Sequence, residues 1–278
     1  MFRDILLATA SYPEATSDAA LDKALAVAAR LGATLTAMAF EVEIPSATGL
    51  VSGGFVDLGG MIEAERRKSA HAAEAVLATF RTAAAARGVA ADAISLRCLT
   101  GDAPRLLTAE AKLHDLTIVP VTPFDGVEQW YAESVIFGSG RPILILPESA
   151  PAPAPAKVLL AWDSSRAAAR ALADSLPLLA LAREVDVVTV LNEKQLDEAG
   201  SGRGVVRYLT RHGVTSRSRE VDAAGRAIGD VLRDLVAEEG HDLVVMGAYG
   251  HSRLRDFILG GATKSLLAAS PGALFMSH

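Results

Sequence analysis

The chain has 278 residues, 50% of them hydrophobic, and a formal net charge of −6. That length suits two domains of ordinary size better than one large core, and the acidic balance argues against general nucleic-acid binding, which needs a basic face. No segment reaches the roughly 18 to 20 uninterrupted apolar residues of a membrane span, the opening "MFRDILLATASYPEATSD" has no secretory pattern, and a single cysteine, Cys98, excludes an internal disulfide. A cytoplasmic protein without membrane contact is the expectation.

The first half opens with a short apolar run, "DILLATA" (4–10), an Ala/Leu-rich stretch, "DAALDKALAVAARLG" (18–32), and a second apolar run, "ATLTAMAF" (33–40). This reads as strand, helix, strand. Then comes "EVEIPSATGLVSGGFVDLGG" (41–60), rich in Gly and Ser, read as a surface loop in preference to a lid. A long helix follows from about Met61 to Arg87, with Arg66, Arg67 and Lys68 on a solvated face. Cys98 belongs to the strand "AISLRCL" as a small hydrophobe. A helix leads into a buried strand in "GDAPRLLTAEAKLHDLTIVPV" (101–121), and "ESVIFGSGRPILILP" (133–147) closes the half with a helix end, a turn and a last strand.

Alternating Pro and Ala in "ESAPAPAPAK" cannot continue a helix or a central strand, so residues 149–156 read as a semi-rigid linker. Residues 157–278 then repeat the plan of residues 1–148. "KVLLAWD" (157–163), "RAAARALADSLPLLALA" (166–182) and "EVDVVTVL" (184–191) are strand, helix and strand, with Pro177 expected to kink or break the helix. "GRAIGDVLRDLVAEEGHDLVVMG" (225–247) and "TKSLLAASPGALFMS" (263–277) complete it. Apolar strands alternating with helices imply a parallel sheet covered on both faces. The fold class is therefore α/β, with two doubly wound, Rossmann-like domains of five parallel strands each.

The second half contains "GAYGHSRLRDFILGG" (247–261) directly after an apolar strand. Ligands of open parallel sheets sit outside the carboxyl ends of the strands, where the strand order reverses. A helix starting near Gly260–Thr263 would offer unpaired amide N–H groups and the positive end of its dipole. Gly260 and Gly261 would let phosphate oxygens approach the backbone, Thr263 adds a hydroxyl, and Gly247 and Gly250 would let the strand exit turn beneath the ligand. Asp163, after the first strand, can accept hydrogen bonds from a ribose or an amino group. Singly these features are weak. Asp163 is as often a helix N-cap, a glycine pair more often a turn, and His251 and Arg253 read better as solvated loop residues than as catalytic groups. Their joint placement at strand ends points to an anion site.

With Gly247, Gly250 and Gly260 spaced as G-x2-G-x9-G, residues 157–278 resemble the nucleotide-binding form of the universal stress protein family, and the chain as a whole its tandem, two-domain form. The resemblance implies an adenine-nucleotide site built from Ala161 beside the adenine, Asp163 after the first strand, Val190 where the main chain meets the base, Met246 and Gly247 at the fourth strand end, and Gly250, His251, Gly260, Gly261, Ala262 and Thr263 around the phosphates. The ligand implied is ATP, or ADP or AMP, with or without magnesium. One position departs from the pattern: Gly261 stands where the family has Ser or Thr, which removes one hydroxyl and puts triphosphate preference in doubt. The first half resembles the family in architecture alone. Ala10 replaces the aspartate, and "TIVPVTPFDG" has no G-x2-G. The family's assembly implies edge-to-edge pairing of "PILILP" with "GALFMS", with homodimerisation and the identity of a protein partner left open. The implied function is nucleotide-dependent regulation in the stress response. An enzyme with slow ATP hydrolysis or adenylyl transfer, and a scaffold that binds no nucleotide, stand as alternatives.

Overall fold

Ile5, Leu6 and Leu7 near the start of the chain, and Val158, Leu159 and Leu160 after the proline-rich stretch, are all fully buried, as strands covered on both faces must be. A computed structural model of the chain describes residues 1–45, 58–121, 127–148, 155–191, 202–248 and 272–278. The first half contains β1 (Asp4–Ala8), α1 (Asp18–Leu31), β2 (Thr34–Glu43), α2 (Leu58–Arg87), β3 (Ala91–Leu99), α3 (Ala103–Ala111), β4 (Leu116–Val121), α4 (Val127–Gly138) and β5 (Ile143–Pro147). The second contains β6 (Lys157–Ala161), α5 (Arg166–Leu179), β7 (Glu184–Leu191), α6 (Gly202–Arg211), β8 (Ser216–Asp222), α7 (Ile228–Glu239), β9 (Leu243–Gly247) and β10 (Ala273–Ser277).

The strands form one ten-stranded sheet in the order β3-β2-β1-β4-β5-β10-β9-β6-β7-β8. Each half thus carries five parallel strands in the same internal order. The two meet where β5 and β10 pair antiparallel, with Ile143, Leu144 and Ile145 opposite Met276, Phe275 and Leu274. This is the edge pairing that the family resemblance implied. Successive residues of the two strands serve opposite faces. Leu144 and Phe275 join one core, which also holds Leu7, Phe80, Leu160 and Leu179. Ile145, Leu274 and Met276 join the other, with Leu6, Leu107, Leu159 and Val244. Both hydrophobic cores therefore cross the seam, and Phe2 of the first half stacks near Phe275 with ring centroids 6.3 Å apart. Among the described residues no helix is long and apolar enough to cross a membrane.

Helix ends follow local chemistry. Ser17 caps α1 by accepting the Ala20 N–H, and Gly32 ends it with φ +62°, a left-handed angle that glycine takes without penalty. Of the kink or break expected at Pro177, the break does not occur. The helix continues to Leu179, because in the last turn proline's missing N–H costs a single ladder bond. The long helix expected from Met61 begins at Leu58. The Gly/Ser-rich segment 46–57 and most of the 149–156 stretch lie outside the described residues.

The amino ends of the strands repeat in detail. A His-Asp pair precedes β4 (His114, Asp115) and β9 (His241, Asp242). The Asp115 carboxylate accepts the Arg3 and Asp4 N–H groups at 2.8 and 3.2 Å, and Asp242 accepts those of Ala156 and Lys157 at 2.9 and 3.3 Å. His114 reaches Asp4 at 2.9 Å, whereas His241 reaches Asp186 on β7 at 3.0 Å. Asp186 is 2% exposed. Burial alone would raise its pKa, but hydrogen bonds from Arg217 and His241 hold it below the ordinary carboxylate value.

Two predictions follow from this arrangement. A fragment comprising residues 1–148 would expose the free edge of β5, "ILILP", an apolar template for pairing. It is expected to self-associate or precipitate under conditions where the full chain stays dispersed, as read by sedimentation velocity; a well-behaved monomer would contradict the seam as drawn. The second concerns Asp186→Asn. A depressed carboxylate pKa contributes stability above its ordinary titration range and loses that contribution as pH falls through the folded-state value. The variant is expected to be about 1.5–3 kcal/mol less stable near neutrality, the range for hydrogen bonds to a charged group. Urea denaturation should show the gap to the parent closing as pH drops below about 4. A gap independent of pH would remove the charged carboxylate from the account.

Candidate nucleotide site

β1 lies between β2 and β4, and β6 between β7 and β9. The strand order therefore reverses beside β1 in the first half and beside β6 in the second, which places a crevice at the carboxyl ends of β1/β4 and of β6/β9. In the second half Ala161 ends β6, and the next residue, Trp162, donates its N–H to the Val188 carbonyl at 2.8 Å. The chain then turns sharply. The exposed Asp163 accepts the Ser165 N–H at 2.9 Å through Oδ1, and Ser164 takes φ +59°, the left-handed conformation uncommon for a residue with a side chain. Ser165 caps α5 by accepting the Ala168 N–H at 3.0 Å. This Asx turn and cap were missed in the sequence, although an Asp-Ser-Ser run ahead of an alanine-rich helix is a readable signal for both.

Ala161, Val190 and Met246 are each partly buried, and all three pack on the same core. They come from three adjacent strands, β6, β7 and β9, near the carboxyl end of each. The three therefore face the same side of the sheet, at strand ends beside the Asp163 turn. Gly247 ends β9 next to it. Gly250, His251, Gly260, Gly261, Ala262 and Thr263 lie outside the described residues, as does Arg253.

For Gly247 the structure assigns a different reason from the turn expected. A Cβ on Gly247 would stand 2.5 Å from the Ala167 carbonyl carbon and 2.5 Å from the Ala168 nitrogen. The glycine is there because the first turn of α5 is pressed onto the end of β9, and no left-handed angle is involved. This close approach pins the start of α5, and with it the Asp163 turn, against the fourth strand.

The corresponding crevice of the first half differs side chain by side chain. Thr9 donates its N–H to Met38 at 3.1 Å, as Trp162 does to Val188, so Ala10 occupies the place of Asp163. The residues that follow are turned to their own half. Ser11 donates to the Phe40 carbonyl at 2.7 Å, the Tyr12 hydroxyl bonds Glu65 on α2, and the Lys68 ammonium sits 5.8 Å from the centre of the Tyr12 ring.

A group with metal-ligand chemistry lies at the opposite, amino end of the second half, where ligand atoms of Asp186, Glu239 and His241 fall within 4.8 Å of one another. Cations already serve these carboxylates. Arg217 pairs with Asp186, Arg219 with Glu239, and the Lys157 ammonium lies 3.5 Å from Glu239 and 4.0 Å from Asp186. The three positive charges make it an ionic knot that ties β6, β7, β8 and α7.

Comparison with known proteins bears on the second half most directly. Residues 155–276 match the family model described as the Universal stress protein family. No curated protein matches the chain. Among solved structures, a universal stress protein from Archaeoglobus fulgidus DSM 4304 superposes with a TM-score of 0.70 at 16% identity, covering 98% of this chain and 97% of its own. A putative universal stress protein from Pseudomonas aeruginosa UCBPP-PA14 gives 0.58 at 14% identity, over 99% and 93%. A protein of unknown function from Pseudomonas aeruginosa PAO1 gives 0.60 at 14% identity, over 99% and 92%. At these identities the likeness establishes the fold of the whole chain, while the similarity to the universal stress protein family model is confined to residues 155–276.

Proposed function

We propose that the chain is an adenine-nucleotide-binding regulatory protein of the stress response, acting in the cytoplasm, with its nucleotide held by the second half. The observation that carries this reading is the convergence of Ala161, Val190 and Met246 at the switch point of the half that matches the family. An apolar floor suits a purine ring. The exposed Asp163 beside it suits ribose hydroxyls, which donate to a carboxylate. The glycine-spaced segment after β9, with Gly250, His251, Gly260, Gly261, Ala262 and Thr263, would supply backbone N–H groups to the phosphates. With Gly261 in place of a hydroxyl residue, the diphosphate and monophosphate should bind nearly as well as ATP, with magnesium adding little. The first half, with Ala10 for the aspartate and Tyr12 tied to α2, serves as a structural partner.

Calorimetric titration of the full chain with ATP, ADP and AMP tests the proposal. One nucleotide per chain is expected, and no heat with any of the three would leave the scaffold reading standing. Two glycine variants separate fold from site. Gly247→Ala forces a methyl group into the Ala167–Ala168 peptide and is expected to cost about 1–3 kcal/mol of stability, the usual penalty of overpacking. Gly250→Val is expected to abolish nucleotide binding while the thermal transition stays within a few degrees of the parent. A Gly250→Val protein that binds like the parent would move the phosphates elsewhere.

A further inference from the structure

Residues 202–219 carry five arginines and one histidine and no acidic residue, in a chain whose net charge is −6. Three of the arginines, Arg203, Arg207 and Arg211, lie on α6 at i, i+4 and i+8 and are exposed. Val205 and Leu209 of the same helix are buried. At about 100° per residue, the arginines cluster on the crest of α6 opposite that buried side. About 1.5 Å of rise per residue puts them about 6 Å apart along one line.

Five other arginines of this half are paired, Arg170 with Asp174, Arg217 with Asp186, Arg219 with Glu239, Arg226 with Asp234 and Arg233 with Asp230, while Arg166 and Arg183 are exposed and stand singly rather than in a line. Among the described residues none of the three on α6 forms an ion pair. The helix in the same place in the first half, α2, interleaves the two signs and pairs three of its cations, Arg66 with Glu63, Lys68 with Glu65 and Arg87 with Asp22. The two halves share a strand order, so α6 differs from its counterpart in surface chemistry rather than in position.

We infer that the crest of α6 is a docking surface for an acidic helix of a partner protein, whose carboxylates repeat at i, i+4 and i+8. Carboxylates at that spacing on a facing helix are about 6 Å apart, which matches the arginine line. Guanidinium groups hold carboxylates through two parallel N–H···O bonds, geometry that lysine cannot supply. Charge complementarity over a short line favours a protein over a polynucleotide. β8, beside α6, ends in the exposed acidic residues Glu220 and Asp222, and the overall field of the molecule repels long polyanions.

The test uses the full chain and three fluorescein-labelled probes at low salt, read by anisotropy. The probes are a capped alanine-based helix with three glutamates at i, i+4 and i+8, the same composition with the glutamates on different faces, and a twelve-nucleotide single-stranded DNA. The striped helix is expected to bind at least tenfold more tightly than the scrambled one and than the DNA. Arg203→Glu/Arg207→Glu/Arg211→Glu should lower that affinity at least tenfold with an unchanged circular dichroism spectrum. Should that variant misfold, the triple substitution to Gln is used, with the same tenfold loss expected. Lysine at all three positions should cost several-fold, because the charge stays and the fork is lost. Equal affinity for striped and scrambled helices, retained binding by the Gln variant, or tighter binding of the DNA would each overturn the inference.

Discussion

β5 and β10 each end a five-stranded parallel sheet, and each would otherwise leave a row of N–H and C=O groups without partners. Their antiparallel pairing, with Leu144 opposite Phe275, satisfies both rows at once and makes one sheet of ten strands. Because successive residues of a strand face opposite sides, the same few residues also join the two cores, one above and one below the sheet. The consequences reach the candidate site. β10 also pairs with β9 from Leu243 to Gly247, whereas β6 pairs with it only from Leu243 to Val245, so the carboxyl end of β9 is held from the seam side by β10.

Much of this architecture is legible in the sequence, for a specific reason. "DILLATA", "KVLLAWD" and "DLVVMG" are continuous apolar runs, and only strands buried on both faces tolerate them. The charged edge strand β8, "SRSREVD", is exposed along most of its length and carries no such pattern. Neither do the contacts that order the amino ends. Asp186 and His241 are 55 positions apart, and nothing local to "EVDVVTVL" requires an aspartate in a buried strand to find a histidine and an arginine. Propensity describes neighbours along the chain, whereas a buried charge is compensated across strands.

For the candidate site the division is different. Asp163 can be placed from the strand pattern, at the end of "KVLLAWD", whereas Ala161, Val190 and Met246 are implied only by the family resemblance, and all three lie at or near a carboxyl end. What stays hidden is why Gly247 is glycine. Sequence reasoning assigns glycine to a turn, because a left-handed angle is its commonest use. Here the constraint is a helix backbone packed against the strand end, a tertiary contact with Ala167 and Ala168. The same contact explains why the residues after β6 can adopt the Asx turn and left-handed Ser164: the helix that follows is already clamped in place, and strain in a turn persists where its surroundings over-determine it.

The two halves show how a shared frame separates support from specialisation. At the amino ends the frame is kept: Asp115 and Asp242 each gather two backbone N–H groups at the start of the neighbouring strand, and each is preceded by a buried histidine. At the carboxyl ends it diverges. The first half spends its polar groups on internal ties, Ser11 to Phe40 and Tyr12 to Glu65, while the second leaves an aspartate exposed beside apolar strand ends. The amino ends must do the same work in both halves, namely start the strands in register and cover their first N–H groups. Nothing in the sheet imposes a task on the carboxyl ends, so they are free to differ without loss to the fold, and the site proposed for the second half uses that freedom.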